Sequence, residues 1–195
     1  MTASAGRLIP NWMFRCTITD EDALDADVLQ GNDEYIVNVN IGFDDEVGTV
    51  YNALVVLAPR PGMLDLRVFD LAFSIVEAQP DGSHIDTWWD GSRSRAVIVD
   101  PEDRIRVMGA VCAAVGCLID AAEPLGIKMQ THTADLPLKA RVKYERVSRV
   151  FIDRGYEGGK TEHYHGLWLY EFERVATVSN VSPDEPLNAD DPEGI

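Results

Sequence analysis

The sequence predicts an α+β fold in which N-terminal antiparallel strands precede a strand–helix–strand–helix–strand half, giving a mixed sheet with two main helices. Apolar and polar residues alternate between Ile36 and Glu77, which is typical of strands, and a strong helix start stands at Asp100 ahead of a long apolar run. The length of 195 residues and the hydrophobic content of 46% fit one domain with a substantial core. We expect that domain at residues 1–178 and an acidic, flexible tail at residues 179–195.

The first strands are predicted at residues 12–18 and 36–43, separated by an acid-rich, exposed connection. In the second of them the alternation predicts one buried face, formed by Val37, Val39, Ile41 and Phe43. Strands at residues 50–58 and 64–77 follow after short turns, and such consecutive strands predict an antiparallel meander. The apolar parity shifts within the last of these strands, which predicts a β-bulge near residues 69–70.

The second half is predicted to begin with a short apolar strand at residues 95–99, after a loop at residues 79–94. Asp100 is then a helix cap and Pro101 stands at the first helical position, so a helix is expected to reach about residue 123. Small residues recur in this helix at helical spacing and predict close packing on a sheet: Gly109, Ala113 and Gly116.

A strand is predicted at residues 127–133, followed by an amphipathic helix at residues 135–154 that Gly155 ends. The residues of this helix expected to face the core are Leu138, Val142, Val147, Val150 and Phe151. Residues 157–162 are expected to form a loop, and residues 163–175 a final aromatic strand.

Charge restricts the class of partner. The chain has 33 acidic and 17 basic residues and a formal net charge of -16. Such a charge repels phosphate backbones and anionic lipid, so we expect no direct nucleic acid partner and no membrane. Another protein with a basic surface fits this charge better. A homo-oligomer stays open, because the apolar helix would cover a subunit interface as easily as a sheet.

The three cysteines, Cys16, Cys112 and Cys117, form no CxxC pair, and we expect them to be buried thiols in a reducing cytoplasm. The first ten residues contain no apolar core of the kind a signal peptide needs. The longest apolar run, residues 107–119, is shorter than the roughly 20 residues that a bilayer requires. The sequence therefore predicts a cytoplasmic protein.

The helix start at Asp100 is followed by the pattern R-x-x-G, with Arg106 at its first position, Gly109 at its fourth and Ala110 directly after it. Together with the element order of residues 95–175, this pattern resembles the GNAT acetyltransferase superfamily and its R/Q-x-x-G-x-G/A loop. The resemblance implies a GNAT-like fold with an acetyl-CoA slot between the strands that flank the helix. It also implies that the three named residues bind the pyrophosphate of that cofactor through backbone amides at a helix N-terminus.

A second point of resemblance is the segment Lys143-Tyr144-Glu145-Arg146, which looks like the GNAT helix motif that ends in a tyrosine. The resemblance implies that Tyr144 is a general acid that protonates the departing thiolate. Here the following Gly155-Tyr156 comes about two helical turns later than the corresponding Gly-Phe of the family, so this helix is extended. A tyrosine half buried in helix packing is the alternative interpretation.

The loop also departs from the GNAT pattern. Bulky residues stand where the family has small ones, and they crowd the approach of a pyrophosphate: Ile105, Val107, Met108 and Val111. In this degenerate form the chain resembles small GNAT-like proteins encoded by bacteriophages. That resemblance implies a non-catalytic viral protein without a cofactor, acting through protein–protein contacts as a virion component or an inhibitor of a host or defence system, in the host cytoplasm or the virion. The alternative is an N-acetyltransferase that uses acetyl-CoA.

Two histidines form a weak candidate metal site. His163 and His165 are two residues apart on the predicted final strand, so their side chains are expected to point to one side, where Glu162 or His132 would complete a ligand set. The sequence fixes no third ligand. Two exposed strand histidines without a metal are the alternative.

Overall fold

The computed structural model describes residues 14–19, 27–62, 67–88, 96–132, 141–163 and 167–175. These residues form an α+β fold with a mixed, mostly antiparallel, open sheet and two long helices. The helices are α1 (Pro101–Ala122) and α2 (Arg141–Asp153). The strands are β1 (Phe14–Cys16), β2 (Leu29–Gly31), β3 (Glu34–Asp44), β4 (Thr49–Pro59), β5 (Val68–Ala78), β6 (His84–Trp88), β7 (Gly126–His132), β8 (Tyr156–His163) and β9 (Leu167–Arg174).

The order of strands across the sheet is β1-β3-β4-β5-β7-β9-β8. Strand β2 pairs with β3, and β6 pairs with β5. All of these pairs are antiparallel except β5–β7, which is parallel and is connected through α1. The predicted α+β class and the predicted meander of β3, β4 and β5 are confirmed.

The meander has one buried face, as the alternation predicts. Val37, Val39 and Ile41 are buried, but Phe43 is 38% exposed, so its predicted inward orientation is wrong. The reason is a β-bulge between Asn40 and Gly42, which moves every later residue of β3 to the opposite face. The bulge predicted at residues 69–70 is wrong, since the register of β5 against β4 is continuous.

Helix α1 begins and ends as the sequence predicts. The Asp100 carboxylate accepts a hydrogen bond from the Glu102 amide at 2.6 Å, and Pro101 occupies the first turn. At the other end Glu123 takes a left-handed conformation, and its amide bonds to the Ile119 carbonyl. The Arg67 guanidinium also donates to the Ala122 carbonyl, which satisfies another of the last carbonyls of the helix.

The face that α1 turns to the sheet consists of larger residues than predicted. Helix α1 packs on β3 and β4 as expected, but Gly109 is exposed and Gly116 lies against the guanidinium of Arg154, so the small-residue stripe does not face the sheet. The residues that α1 buries include Val107, Met108, Val111, Val115, Leu118 and Ile119. By length and composition α1 could also cross a membrane, but 56% of its most apolar 18-residue stretch is buried inside this fold.

Helix α2 and the strand after it differ from their predictions in part. Val147 and Phe151 are buried as expected, whereas Val142 is 49% exposed and Leu138 lies outside the described residues. Gly155 ends the helix with a φ of 80°, as predicted. The loop predicted at residues 157–162 is wrong, because this segment belongs to β8 and pairs along its whole length with β9.

The segment between β5 and α1 also differs from its prediction. The expected loop at residues 79–94 contains strand β6, which pairs with β5. The strand predicted at residues 95–99 is wrong, since Ala96 and Val97 are helical. Val97 and Ile98 are nevertheless buried, so the apolar character of this segment reflects burial and not sheet pairing.

Candidate functional site

The parallel strands β5 and β7 separate after a short paired stretch. Val68–Asp70 pair with Gly126–Lys128, and beyond these residues the two strands no longer pair with each other. Strand β5 continues to Ala78 and β7 to His132, so beyond this stretch there is a break in the pairing between the two strands, here called the cleft. Ligands of open mixed sheets commonly bind outside the carboxyl ends of such strands. This cleft is therefore the candidate functional site.

Strand β6 lies inside that divergence. Strand β4 pairs with one edge of β5 over the full stretch from Phe69 to Ala78, so β6 must use the opposite edge, which is the edge that faces β7. Along that edge Ser74–Ala78 pair with Trp88–His84, in antiparallel order. Only Leu71–Phe73 remain without a strand partner on that edge among the described residues. The chain thus covers most of this edge of β5 itself.

Aromatic side chains from three elements meet where the strands part. The ring of Tyr144, from α2, stacks on Tyr170 of β9 at 5.7 Å between centroids and 18° between planes. The same ring lies 5.6 Å from that of Phe73, which belongs to the stretch of β5 between its two partners. Tyr144 is 8% exposed. The tyrosine predicted as a general acid is therefore beside the cleft, but its ring is packed as a core residue.

The residues predicted to hold a pyrophosphate lie within α1. Gly109 and Ala110 lie more than two turns into the helix that begins at Pro101. At that position the backbone amides already donate to carbonyls of the same helix. The Arg106 guanidinium lies 3.1 Å from Asp103 and 3.8 Å from Glu102. These residues do not form an amide cradle at a helix N-terminus and do not fit a pyrophosphate, so their role as cofactor ligands stays a prediction that this geometry does not support.

The helix N-terminus itself also disfavours an anion. Its positive end already faces Glu102 and Asp103 in the first turn and the capping carboxylate of Asp100. The Arg104 side chain donates to the Val99 carbonyl at 2.6 Å, which directs it back along the chain. A phosphate brought here would meet three carboxylates, and electrostatic repulsion would oppose its binding.

Replacing Gly109 by alanine is expected to raise the free energy of unfolding by about 1 kcal/mol, because alanine favours the helix and nothing lies within 4 Å of the added methyl group. Gly116→Ala in the same helix is the matched control, since its methyl group would meet the Arg154 guanidinium, and we expect no such gain. Urea denaturation followed by circular dichroism measures both variants. A loss of stability in Gly109→Ala would contradict the mid-helix position of this glycine.

The predicted histidine site is only partly within the described residues. His163 ends β8 and His132 ends β7, and both pair with Leu167 of the intervening β9. His165 lies outside the described residues, so the predicted histidine pair is not described together. Within the described part of the chain, no group of three potential ligand residues has metal-binding geometry. The metal site stays a prediction.

The cysteines form no disulfide bond in the described structure and are half-buried. Burial raises the pKa of the Cys112 thiol, and the nearby positive charge of Arg146 offsets this only in part. The thiol of Cys112 is therefore protonated at neutral pH, which makes it a poor nucleophile. This environment agrees with the predicted structural role of the cysteines.

Strand β6 is the part of the site that sequence reasoning missed. The segment His84-Ile85-Asp86-Thr87-Trp88 alternates polar and apolar residues over its first three positions and holds β-favouring residues, so a strand signal was present. Gly82 and Ser83 precede it, and the turn Gln79–Gly82 places it beside β5. The flanking Gly, Ser and Asp residues favoured a loop instead.

Comparison of the chain with protein-family models, with curated proteins and with solved structures found no match. Function is therefore inferred from the residues of this chain alone.

Proposed function

We propose that this chain is a non-catalytic protein with a GNAT-like fold, encoded by a bacteriophage, that acts through contacts with other proteins as a virion component or as an inhibitor of a host or defence system. One observation carries this proposal. Strand β6 pairs along the edge of β5 inside the divergence from β7, where the GNAT resemblance implies an acetyl-CoA slot. The β5 side of such a slot is already paired, so it offers a ligand few free backbone groups.

The element order supports the GNAT-like part of the proposal. The parallel pair β5–β7 is connected through α1, and α2 then leads to the antiparallel pair β8–β9. This succession follows the strand–helix–strand–helix–strand order of the family, with β5 taking the place of the strand expected at residues 95–99. The divergence of β5 from β7 lies where the resemblance implies the slot.

The charge distribution supports action on a basic partner. Several arginines of the described surface are engaged by carboxylates of the same chain, including Arg15 with Asp45 at 2.6 Å and Arg154 with Asp120 at 3.0 Å. Pairing of this kind reduces the positive potential that the basic residues present to solvent. With a net charge of -16, the surface attracts basic proteins and speeds their association at low salt.

An acetyl-CoA-dependent N-acetyltransferase is the second candidate. It is favoured by one observation, the position of Tyr144 beside the cleft and against Phe73. In this reading the tyrosine hydroxyl would donate a proton to the departing thiolate. Strand β6 and the ring packing of Tyr144 would both have to move before a thioester reached that hydroxyl.

The experiment that separates the two candidates is a calorimetric titration of the full chain with acetyl-CoA and, separately, with CoA. We expect no binding heat up to about 1 mM ligand. At that concentration a complex with a binding free energy of about 4 kcal/mol would be half formed. Gly109→Glu is the companion variant, since it adds a carboxylate at an exposed site on α1. Micromolar binding that this variant abolishes would refute the non-catalytic proposal and support the acetyltransferase.

A further inference from the structure

Helix α2 carries a basic flank in a chain that is strongly acidic as a whole. Four of its 13 residues are basic and two are acidic, whereas the complete chain has a formal net charge of -16. Lys143 and Arg146 are three residues apart, so their side chains lie on the same side of the helix. Arg154 follows directly after the last turn. These three residues are here called the basic flank.

Contacts with α1 locate the basic flank at the junction of the two helices. The Arg154 guanidinium donates to the Asp120 carboxylate at 3.0 Å and lies beside Gly116. Burial raises the pKa of the Cys112 thiol, and the charge of Arg146 lowers it in part, so Arg146 lies close to Cys112. The basic flank therefore runs along α1 rather than toward the sheet.

Two arginines of α2 have no carboxylate partner among the described residues. In that part of the chain the basic side chains paired with carboxylates are Arg15, Arg60, Arg67, Arg106, Lys128 and Arg154. Arg146 and Arg149 are exposed and are not among them. Glu145 and Asp153 stand four residues before and after Arg149 or Arg149 itself on this helix, yet neither forms an ion pair with it. The described residues thus leave two positive charges facing solvent.

The strip of α1 next to the basic flank is uncharged and made of small residues. Gly109, Cys112 and Gly116 recur at helical spacing, so they share one side of α1. Gly109 is exposed, and nothing lies within 4 Å of a methyl group added there. An extended chain can approach such a strip closely, because no long side chain of the strip stands in its way.

We propose that the acidic tail, residues 179–195, folds back on its own chain and binds along the basic flank of α2, over the small-residue strip of α1. The tail contains five acidic residues and no basic one. The acidic residues are Asp184, Glu185, Asp190, Asp191 and Glu193. Carboxylates form charge-assisted hydrogen bonds with guanidinium groups, so these residues complement Arg146 and Arg149.

The tail begins next to α2. The Val175 amide donates to the Gly155 carbonyl at 3.0 Å, and Gly155 lies at the end of α2. Residues 176–184 span about 30 Å when extended, and α2 is about 20 Å long. The acidic residues can therefore reach every turn of α2. A tether of this length gives the tail an effective concentration on the order of millimolar, so even weak ion pairs are populated.

Position favours the tail over another acidic segment of the same chain. Residues 20–26, which also lie outside the described residues, contain four acidic residues. They follow β1, at the opposite end of the sheet order from β8, on which α2 packs. The six strand spacings between β1 and β8 amount to about 29 Å. Binding of the tail of a second copy is opposed by the net charge of -16 on each chain.

Nuclear magnetic resonance of the full chain at about 20 and 500 mM salt tests this proposal. At low salt we expect the amides of residues 184–193 to show the heteronuclear NOE of an ordered segment. At high salt screening should lower the docking equilibrium constant at least about fivefold. Arg146→Glu combined with Arg149→Glu should lower it at least about tenfold at low salt, since carboxylates would then face carboxylates. Both sites are exposed, so the fold tolerates these changes.

Arg15→Glu combined with Arg60→Glu is the matched control. It changes the net charge by the same amount, and both arginines form exposed ion pairs whose loss has little effect on stability. Arg15 lies on β1 and Arg60 follows β4, both distant from β8 in the sheet order, so the tail signals should not change. A second variant replaces the five tail carboxylates by amides. It should abolish the ordering of the tail and shift the amide signals of Arg146 and Arg149.

Four results would overturn the proposal. One is a tail with the NOE of a free chain at both salt concentrations, and another is an ordered tail that the two arginine substitutions in α2 leave unchanged. An equal loss in the Arg15 and Arg60 control would show a general effect of charge. Ordering that grows with protein concentration would show binding to a second copy. Circular dichroism checks that each variant is folded. None of these measurements involves acetyl-CoA, so failure here leaves the non-catalytic proposal intact.

Discussion

Gly158→Ala is expected to lower the free energy of unfolding by about 3 kcal/mol. Gly158 lies in β8 opposite Phe172 of β9. A methyl group there would lie 2.7 Å from the Phe172 Cα and would also meet the Glu171 carbonyl, and both are backbone atoms that cannot turn away. Strand β8 would have to shift relative to β9, with loss of pairing at the edge of the sheet.

Gly159→Ala is the matched control, one residue further along the same strand. Nothing lies within 4 Å of a methyl group at Gly159, so we expect a change within about 0.5 kcal/mol. Thermal and urea denaturation of the two variants would measure the difference. Equal stabilities would show that β8 does not approach β9 as closely as described.

Tyr144→Ala is expected to lower the free energy of unfolding by about 3–5 kcal/mol. The ring of Tyr144 is enclosed by Tyr170 and Phe73, and its removal leaves a cavity between α2 and the sheet that rigid strands cannot fill. Tyr144→Phe retains the ring and its stacking, so most of this stability should remain. Val142→Ala, at a 49% exposed position of the same helix, is the control and should change stability by less than about 0.5 kcal/mol.

The comparison of the alanine and phenylalanine variants also separates two roles of this tyrosine. A packing role predicts that Tyr144→Phe keeps most of the free energy of unfolding that Tyr144→Ala loses. A catalytic role predicts that phenylalanine abolishes acetyl transfer while stability is retained. Acetyltransferase activity in the unaltered protein that Tyr144→Phe removes would contradict the packing interpretation.

The first long helix could be predicted because its signals are local. The cap at Asp100, the proline at the first turn and Pro124 just beyond the last turn act within a few residues of the helix ends, whatever the rest of the fold does. The buried face of β3 could be predicted for the same reason as far as Ile41. Phe43 could not, because the bulge between Asn40 and Gly42 has no clear signal in the local sequence. Gly42 there lies close to Phe14 and Arg15 of β1, which are distant in sequence.

Strand β8 could not be predicted from its own residues. Gly158, Gly159 and the charged residues around them have low strand propensity, and the segment forms a strand because β9 offers a full edge to pair with. Strand β6 differs, because its own residues favour a strand and only the flanking Gly, Ser and Asp residues favoured a loop; it pairs with an edge that the divergence of β5 and β7 leaves open. Non-local pairing overrides local propensity in β8.

The candidate site was predictable only in part. The sequence singled out Tyr144, and this residue does lie beside the cleft. Arg106 and Gly109 match a short pattern, but the strong cap at Asp100 starts the helix earlier and places both residues inside it. A pattern of four positions does not determine whether a glycine lies at a helix start or within it.

Hydrogen exchange of strand β6, with and without acetyl-CoA, tests the central claim most directly. If β6 closes the edge of β5 in a non-catalytic protein, the amides among residues 84–88 that donate to β5 should show protection that about 1 mM acetyl-CoA leaves unchanged. Loss of that protection on adding acetyl-CoA, together with new protection along Met129–His132 of β7, would show that the ligand displaces the strand. That result would contradict the account and identify β6 as the gate of an acetyltransferase.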